Sequence, residues 1–316
     1  MRNPSSDQDQ ALDVFCLGHA SYDQVMCVAH HPSADEKQFA TQLITCGGGP
    51  AANAAVCVAR LGLTSGFGGY LGQDNYGSTH YQELINEGVN TAYVVRGNQP
   101  TPLSVVLAKP NGDRTLVNFK GNTQALSSET LDFRSLNTRI ILIDGHEPAL
   151  SLKLLQQHSN TPSVLDAGSL HAGTELLMTS VSDLVCSEKF AVQFGGSPSE
   201  ALEKLAMIHP KVVITLGDKG LIWRRGNEHG RMSAPLVKAQ DTTGAGDAFH
   251  GAYAAALALE MNWLDTLRYA SAAGALACCQ LGARTSLAHQ EQHQHLLMQT
   301  QFEIQTSQVT PLEKSP

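Results

Sequence analysis

Short apolar runs alternate with longer amphipathic stretches along most of the chain. Runs that end at a glycine or a polar residue predict buried strands; they read "VFCLG", "RIILID", "SVLDAG", "DLVCS" and "KVVITLG". Between them, stretches such as "AANAAVCVARLG" and "PSEALEKLAMIH" predict helices, and mainly helices follow residue 243, at about 244–259, 263–280 and 288–299. Strands that alternate with helices form a parallel sheet covered on both faces. We therefore predict an α/β fold of three layers, αβα, with a mostly parallel central sheet.

Two polar, β-rich segments interrupt this alternation. Residues 24–46 lack a helix pattern, and residues 100–119 hold two β-rich runs on either side of Asn111-Gly112, a dipeptide that favours a tight hairpin. We expect these segments to form a small sheet that projects from the main body as a lid. The domain is predicted to span residues 12–303, and residues 1–11 and 304–316 are predicted to be loose tails.

Composition indicates a folded, soluble protein. Apolar residues make up 42% and charged residues 16% of the 316 residues, as in globular domains. The formal net charge of −8 argues against nucleic acids and anionic membranes, which bind basic surfaces. The first residues lack a signal-peptide pattern, and no apolar run is long enough to span a bilayer. The seven cysteines show no metal-site spacing, so we expect free thiols and a cytoplasmic location.

The stretch "DTTGAGDAFHG" at residues 241–251 carries the strongest chemical signal. A glycine-rich turn that leads into a helix offers backbone N–H groups and the positive end of the helix dipole, which together bind anions. Gly244, Ala245 and Gly246 form this turn and are called the anion turn below. Asp247 beside it would repel an anion, so it indicates a base for a nucleophile that attacks the anion, as phosphoryl transfer requires. The alternative is an ordinary helix start with an acidic cap.

Motifs of rival chemistries are missing. "GAGDAF" lacks the third glycine of the dinucleotide fingerprint, and G-x-x-x-x-G-K-[ST] does not occur. Neither H-E-x-x-H nor G-x-S-x-G occurs, which argues against a zinc protease or a serine hydrolase. Phosphoryl transfer at the anion turn is therefore the leading hypothesis.

Longer stretches resemble the ribokinase/PfkB family of carbohydrate kinases. "DTTGAGDAFHGA" is similar to the C-terminal signature of that family, and "GGGPAANAAVCVARLG" is similar to its N-terminal signature. "VVITLGDKG" resembles the strand and turn of its nucleotide site, and the resemblance runs from about Val14 to Ser286 with the motifs in the family's order. It implies a ribokinase-like sugar kinase that uses ATP and Mg²⁺ and, in some members, K⁺.

The resemblance also implies roles around the anion turn. Asp247 would be the catalytic base, and the backbone of the anion turn would bind the γ-phosphoryl group. Asp241 and the carbonyl of Thr243 match positions that hold a monovalent cation; the alternative for Asp241 is a turn-capping residue. The remaining positions that match nucleotide contacts are Ser187, Thr215, Gly217, Gly220, Gly244, Gly246 and Ala275.

At the sugar end, "LGHASYD" places Ser21 and Asp23 just after the first strand. Asp23 matches the acid that binds sugar hydroxyls in the family, and a carboxylate at the carboxyl end of a strand faces the crevice in which α/β sheets bind ligands. Gly48, Gly49 and Asn53 lie at the glycine-rich entry to the next helix, where a polyol would supply hydrogen-bond partners to a buried Asn. The alternative is a tight turn with an inward-facing Asn.

One motif departs from the family pattern. Many members carry Asn-x-x-Glu after the strand that reads "DLVCSEKF", whereas this chain has Ser187 and Phe190 at those two positions. The Mg²⁺-linked contacts of that motif would then fall to Glu188, or to solvent and Asp247.

The combination of "GGGPAA", "CSEKF" and "TTGAGDAFHGA" resembles the sulfofructose kinases of bacteria. In that subgroup a Lys, an Asn and an Arg bind the sulfonate; Lys37 and Asn118 match the first two, and His146 occupies the third position. His binds anions more weakly than Arg, and Lys37 taken alone is typical of a solvated lid residue. Arg114 is interpreted either as a lid contact to the ligand or as a surface charge. We predict a ketose-like substrate with an anionic group, with 6-deoxy-6-sulfofructose first.

Other hypotheses stay open. They are a ribokinase, a fructokinase or a 2-keto-3-deoxygluconate kinase, a kinase of a non-sugar alcohol such as a nucleoside, and a non-catalytic sensor of sugars or nucleotides on the same fold. The intact Asp247 and anion turn argue against the sensor, and Asp23 with Asn53 favours a polyol. Because an exposed lid sheet has free edges that a second copy would protect, we expect a homodimer through the lid.

Overall fold

The computed structural model describes residues 10–110 and 112–308 of the chain. These residues contain fourteen strands and nine α-helices. The strands are β1 (Leu12–Leu17), β2 (Ser21–Cys27), β3 (Gln42–Gly48), β4 (Ser65–Gly72), β5 (Asn90–Gly97), β6 (Leu103–Ala108), β7 (Arg114–Phe119), β8 (Thr138–Ile143), β9 (Ser163–Ala167), β10 (Asp183–Ser187), β11 (Lys211–Thr215), β12 (Leu221–Arg225), β13 (Glu228–Met232) and β14 (Ile304–Gln308). The helices are α1 (Pro50–Arg60), α2 (Asn75–Asn86), α3 (Pro148–Gln157), α4 (Ala172–Leu177), α5 (Glu188–Gly195), α6 (Pro198–Ala206), α7 (Ala245–Ala258), α8 (Trp263–Ala277) and α9 (Gln290–Gln299).

The larger sheet has ten strands in the order β14-β13-β12-β11-β10-β9-β8-β1-β4-β5. Neighbouring strands from β11 to β5 are parallel, and β12 to β14 extend one edge in antiparallel fashion. Successive residues of β1 alternate between two apolar cores. Val14 and Cys16 pack in the core that includes α1, α7 and α8, whereas Phe15 and Leu17 pack in the core that includes α3, α5 and α6. The predicted three-layer fold with a mostly parallel sheet is confirmed.

A second sheet of four strands, in the order β3-β2-β6-β7, forms the predicted lid. Strand β2 pairs antiparallel to β3 and parallel to β6, and β6 pairs antiparallel to β7. These strands coincide closely with the two β-rich segments of the sequence. Asn111 of the predicted hairpin turn lies outside the described residues.

The carboxyl-terminal boundary differs from the prediction. The sequence predicts a loose tail from residue 304, but Ile304–Gln308 forms β14 and pairs with β13. Ile304 and Phe302 pack against the core. These two apolar contacts and the pairing with the edge strand β13 hold residues 304–308 in place, although the other residues of this strand are polar. Residues 1–9 and 309–316 of the predicted tails lie outside the described residues.

The helices predicted after residue 243 are confirmed to within a few residues as α7, α8 and α9. Helix α7 is buried on nearly all sides, which its run of alanines allows. Within the described ranges, no helix combines the length and apolarity needed to cross a membrane.

Helices α1 and α7 approach each other closely at Gly251. A Cβ atom at this position would lie 2.7 Å from the carbonyl oxygen of Ala54 and 3.0 Å from Cβ of Cys57. The helices pack at this distance only because residue 251 has no side chain. Since α1 carries Asn53 and α7 carries Asp247, this contact sets the spacing of two predicted site residues.

We expect Gly251→Ala to destabilise the fold relative to Gly246→Ala. Both changes introduce Ala into the same helix, so both gain a similar helix propensity. A Cβ atom at residue 246 would meet nothing within 4 Å, whereas one at residue 251 would meet backbone. The free energy of unfolding should therefore be lower for Gly251→Ala by about 1–3 kcal/mol, the usual cost of overpacking. Urea denaturation measures both variants, and equal values would contradict the close approach.

Candidate active site

The anion turn forms the N-terminus of α7. Gly244 adopts a left-handed conformation with a φ angle of 80°, which glycine reaches without steric cost. A Cβ atom there would also lie 2.8 Å from Cα of Ala283. No side chain caps this end of α7, so the N–H groups of its first turn have no side-chain acceptor and can bind an anion, although that of Ala245 also donates to the carbonyl oxygen of Thr242 at 3.3 Å.

Asp247 lies in the first turn of α7, and its carboxylate contacts α1. Oδ2 of Asp247 accepts a hydrogen bond from Nδ2 of Asn53 at 2.7 Å. Burial raises the pKa of Asp247 above its ordinary value, and the bond from Asn53 opposes that rise. A partly buried carboxylate with a raised pKa beside an anion site is suited to accept a proton.

A cavity of about 590 Å³, called the central cavity below, opens in front of Asp247. Its walls come from α1, from the segments after β1 and β8, and from the lid strands β2, β6 and β7. The predicted site residues that line it are Ser21, Asp23, Gly49, Asn53, Asn118, His146, Thr243, Gly244 and Asp247. The structure therefore brings the predicted sugar end and the anion turn together in one cavity.

Asp23 is the buried acid of the lid side of this cavity. Its Oδ1 accepts a hydrogen bond from Oγ of Ser21 at 2.9 Å. Burial raises the pKa of Asp23, and the hydrogen bonds from Ser21 and Ser104 oppose the rise. Gly48 does not line the cavity but makes room for this acid, because a Cβ atom at Gly48 would lie 2.2 Å from Oδ2 of Asp23.

The structure does not bring Lys37 to the central cavity. Lys37 is exposed in the segment between β2 and β3, outside the set of residues that line the cavity. The cations that do line it are Arg114 and Lys120, at the two ends of β7. Nη1 of Arg114 donates a hydrogen bond to Oγ1 of Thr242 at 3.0 Å, so this lid residue contacts the segment just before the anion turn.

Three imidazoles stack along the central sheet, although the sequence singles out only His146. The ring centroid of His146 lies 5.1 Å from that of His19 and 5.0 Å from that of His171. Burial lowers the pKa of His19 to about 4 and the pKa of His171 below its ordinary value. These residues follow β1, β8 and β9, which are sheet neighbours. The strand ends could have indicated the cluster, but only once the strand order was known.

Asp144 fixes the backbone on which two of these histidines lie. Its Oδ2 accepts hydrogen bonds from the backbone N–H of His19 at 2.7 Å and of Ala51 at 3.2 Å. Its Oδ1 accepts one from the backbone N–H of His146 at 3.0 Å. The acid therefore joins the segments after β1 and β8 to the start of α1, around one end of the central cavity.

A buried Asp–His pair contacts the backbone of the anion turn. Nδ1 of His250 lies 3.3 Å from Oδ2 of Asp166 and 2.6 Å from the carbonyl oxygen of Gly246. Burial raises the pKa of Asp166 to about 6. His250 thus makes a polar contact with the backbone of the anion turn.

The predicted nucleotide positions gather at the carboxyl ends of β10 and β11. Ser187 and Thr215 are register partners on these neighbouring strands, and Gly217 and Gly220 occupy the turn that follows, with φ angles of 61° and 86°. Ser187 also caps α5 by accepting a hydrogen bond from the backbone N–H of Phe190 at 3.0 Å. This edge of the sheet is where parallel α/β sheets bind ligands.

Helix α8 packs on the anion turn. It carries Ala275 and packs closely on the turn, since a Cβ atom at Gly274 would lie 3.1 Å from the carbonyl oxygen of Ala245. A second cavity, of about 820 Å³, adjoins Asp218 and Lys219 in the turn after β11.

Asp241 is a buried acid, 1% exposed, with no basic side chain within ion-pair distance in the described ranges. It accepts hydrogen bonds from the backbone N–H and the hydroxyl of Thr243, at 2.9 and 2.6 Å, and from the backbone N–H of Gly282 at 2.9 Å. These bonds make it the turn cap that the sequence offers as an alternative. A buried acid without a basic partner also suits a monovalent cation.

The carboxylate of Glu188 lies beside a lysine. Its Oε1 lies 3.8 Å from Nζ of Lys219, and both side chains are largely exposed. Over the residues that the structure describes, no group of three or more His, Cys, Asp and Glu side chains could hold a metal ion.

Comparisons with known proteins agree with this geometry. A sequence model of the pfkB family of carbohydrate kinases matches residues 11–290. The chain is 28% identical to the ribokinase of Bacillus subtilis over 90% of this chain and 99% of that protein. It is 27% identical to the fructokinase of Vibrio alginolyticus over 79% of this chain and 91% of that protein.

Solved structures are similar over nearly the whole chain. The ribokinase of Thermotoga maritima superposes with a TM-score of 0.80 at 26% identity, covering 91% of this chain and 99% of that one. The Arabidopsis thaliana ribokinase complexed with ribose and ATP gives a TM-score of 0.77, also at 26% identity and with the same coverage.

The fold and the site define an ATP-dependent carbohydrate kinase, a phosphotransferase with an alcohol group as acceptor. The chain belongs to the pfkB family of carbohydrate kinases. The predicted sugar kinase on a ribokinase-like fold is thereby confirmed, and the closer likeness to sulfofructose kinases stays a prediction.

Proposed function

We propose that Asp247 is the base that activates a hydroxyl of a sugar bound in the central cavity, while the anion turn binds the γ-phosphoryl group of ATP. The observation that carries this proposal is the position of Asp247, which lines the central cavity and directly follows the anion turn. A hydroxyl in the cavity can therefore reach the carboxylate while the phosphoryl oxygens contact backbone N–H groups.

In the proposed step, the sugar oxygen attacks the γ-phosphorus opposite the leaving oxygen of ADP. The bond between sugar oxygen and phosphorus forms as the bond to ADP breaks, and the hydroxyl proton passes to the carboxylate of Asp247. The N–H groups of the anion turn stabilise the charge on the transferred group. The lid limits access of water, which is a competing acceptor.

Two cations belong to the same proposal. Mg²⁺ would be held mainly by the ATP phosphates and would neutralise part of their charge. Asp241 and the carbonyl of Thr243 would hold a monovalent cation next to the anion turn.

K⁺ should then raise the rate, and Asp241→Ala should abolish that effect. Equal rates in K⁺ and in tetramethylammonium at matched ionic strength would leave Asp241 as a turn cap only.

The acceptor is proposed to be a small polyol that Asp23 and Asn53 hold. A buried carboxylate accepts hydrogen bonds from sugar hydroxyls, and the side-chain amide of Asn53 offers both donors and an acceptor. The similarity to a ribokinase and a fructokinase supports a pentose or a ketohexose.

A sugar with an anionic group is the second candidate. Arg114, Asn118 and Lys120 line the lid side of the central cavity, and His146 lines it from the main sheet. Cations and an amide donor together recognise sulfonate or carboxylate groups. Glu147 also lines the cavity, and burial raises its pKa to about 7. Below that pH the side chain is mostly neutral and therefore repels an anionic group least. Among such sugars, 6-deoxy-6-sulfofructose is the first to test.

A homodimer through the lid is part of the proposal. Strands β3 and β7 are the two edges of the lid sheet, and Leu43, Val117 and Phe119 on these strands are 58%, 64% and 57% exposed. Free edges and exposed apolar side chains favour pairing with a second copy. The mass in solution decides between one copy and two.

Asp247→Asn should lower kcat by roughly 10²–10⁴-fold, because an amide cannot take the proton of the acceptor hydroxyl. The shape of the side chain is kept, so ATP binding measured by calorimetry should be nearly unchanged. Asp132→Asn, at an exposed acid outside the cavity, is the control and should turn over normally. Near-normal turnover of Asp247→Asn would contradict the role of Asp247. A wild-type protein that binds both ligands without releasing ADP would favour the sensor.

Lys120→Ala should weaken any preference for an anionic sugar, whereas Lys37→Ala should not. Both are exposed lysines, Lys37 between β2 and β3 and Lys120 directly after β7, but only Lys120 lines the central cavity. The ratio of kcat/KM for 6-deoxy-6-sulfofructose to that for fructose should fall by about 10–100-fold in Lys120→Ala, the loss expected for one charge-assisted contact. If fructose or ribose exceeds every anionic sugar with the wild-type enzyme, the neutral sugar is the substrate.

A further inference from the structure

Arg284, in the segment between α8 and α9, is a buried guanidinium that none of the roles above uses. Its side chain is 3% exposed. Nε donates to Oδ1 of Asn53 at 3.0 Å, and Nη2 donates to Nε2 of His80 at 3.1 Å. The nearest acid is Glu83, whose Oε2 lies 4.0 Å from Nη1. Burial of a guanidinium with so little direct charge compensation costs stability, so its position calls for a function.

The contact with Asn53 determines which way the side-chain amide of Asn53 faces. A guanidinium has only donors and no acceptor, so Arg284 bonds the amide oxygen and never the amide nitrogen. Nδ2 of Asn53 is thereby directed at Oδ2 of Asp247, 2.7 Å away. A continuous chain of two hydrogen bonds thus links Arg284 to the carboxylate proposed as the base.

The other contacts of Arg284 hold the guanidinium in place. Burial lowers the pKa of His80 well below its ordinary value, so the ring is neutral and its Nε2 can accept from Arg284. Oε2 of Glu83 accepts a hydrogen bond from the backbone N–H of Gly47 at 2.7 Å. The backbone carbonyl of Arg284 accepts from Nη1 of Arg60 at 3.0 Å. Side chains of α1 and α2 other than Asn53 therefore also contact Arg284.

We propose that Arg284 is a positioning residue that locks the amide of Asn53 as a donor to Asp247 and so holds the carboxylate ready to receive the proton of the acceptor hydroxyl. This inference rests on the proposed role of Asp247. Without Arg284, the amide of Asn53 can turn over and present its oxygen to the carboxylate, which removes a donor and adds repulsion.

The test compares Arg284→Met with Asn53→Ala in the pH dependence of kcat. The bond from Asn53 lowers the pKa of Asp247, so its loss raises that pKa and protonates the base up to a higher pH. The acid limb of the profile should therefore move to higher pH by about one unit in both variants, as expected for one hydrogen bond to a charged group. At the wild-type optimum, kcat should fall roughly 10–100-fold, while KM for ATP changes by less than about threefold.

The charge of Arg284 also lowers the pKa of Asp23, so Arg284→Met raises that pKa as well, whereas Asn53→Ala keeps Arg284 and isolates the effect on Asp247. The other titratable and charged groups near Asp247 are present in both variants. They are Asp23, Cys57, Arg114, Asp144, Asp166 and His250. Arg224→Met is the matched control, because Arg224 is a largely buried arginine of β12 that bonds the backbone carbonyl of Gly226 and pairs with Glu203 without touching Asn53 or Arg284. It should lower stability but leave the acid limb in place.

A double variant separates positioning from a general structural effect. If Arg284 acts through Asn53, adding Arg284→Met to Asn53→Ala should lower kcat no further than Asn53→Ala alone. Independent, multiplicative losses would overturn the proposal, as would an acid limb of Arg284→Met that coincides with the wild type. Should Arg284→Met fail to fold, Arg284→Lys and Arg284→Gln, which keep one donor near Oδ1 of Asn53, serve instead. Lys or Gln must then restore the acid limb at least in part, and a full one-unit shift in both would overturn the proposal.

The outcome also separates this inference from the proposed function. Near-normal turnover of Asp247→Asn would remove the base itself and this inference with it. An inactive Asp247→Asn together with an unchanged Arg284→Met would remove only the role of Arg284.

Discussion

The hydrogen bond from Asn53 to Asp247 joins the two halves of the active site. Its partners are 194 residues apart in sequence and lie at the N-terminal ends of α1 and α7. The bond depends on the close approach of these helices at Gly251, where any side chain would meet the backbone of α1. The central cavity lies beside α1 and the anion turn begins α7, so this one contact fixes Asp247 between the cavity and the anion turn. The lid then adds the remaining wall of the cavity.

The site concentrates acids at some cost to stability. Burial raises the pKa of Asp23, Asp166 and Asp247, which means that each is harder to ionise in the fold than in water. A base needs such a raised pKa to accept a proton near neutral pH, whereas a purely structural core would gain by replacing these groups with apolar ones. The hydrogen bonds from Ser21 and Asn53 keep two of these acids ionisable. Retaining them is the expected compromise between stability and activity.

Much of the fold and the reacting end of the site could be predicted from sequence, because both follow from local patterns. Apolar runs, glycine turns and the order of the motifs predict the parallel sheet, the lid and the neighbourhood of Asp247. Contacts that depend on tertiary geometry could not be predicted. Lys37 lies in an irregular lid segment whose course no sequence pattern specifies. It does not line the central cavity, whereas Lys120 does. Arg284 follows α8 in a stretch without periodicity, and only the tertiary structure shows that it contacts Asn53. Residues 304–308 form a strand only because β13 has a free edge.

The most direct test of the proposed mechanism is a crystal structure with a sugar and a non-hydrolysable ATP analogue bound together. The account predicts a sugar hydroxyl within about 3 Å of the Asp247 carboxylate, the distance a general base needs, with the γ-phosphoryl oxygens on the N–H groups of the anion turn. A sugar whose hydroxyls all contact other residues, or a γ-phosphoryl group bound away from residues 244–246, would contradict it.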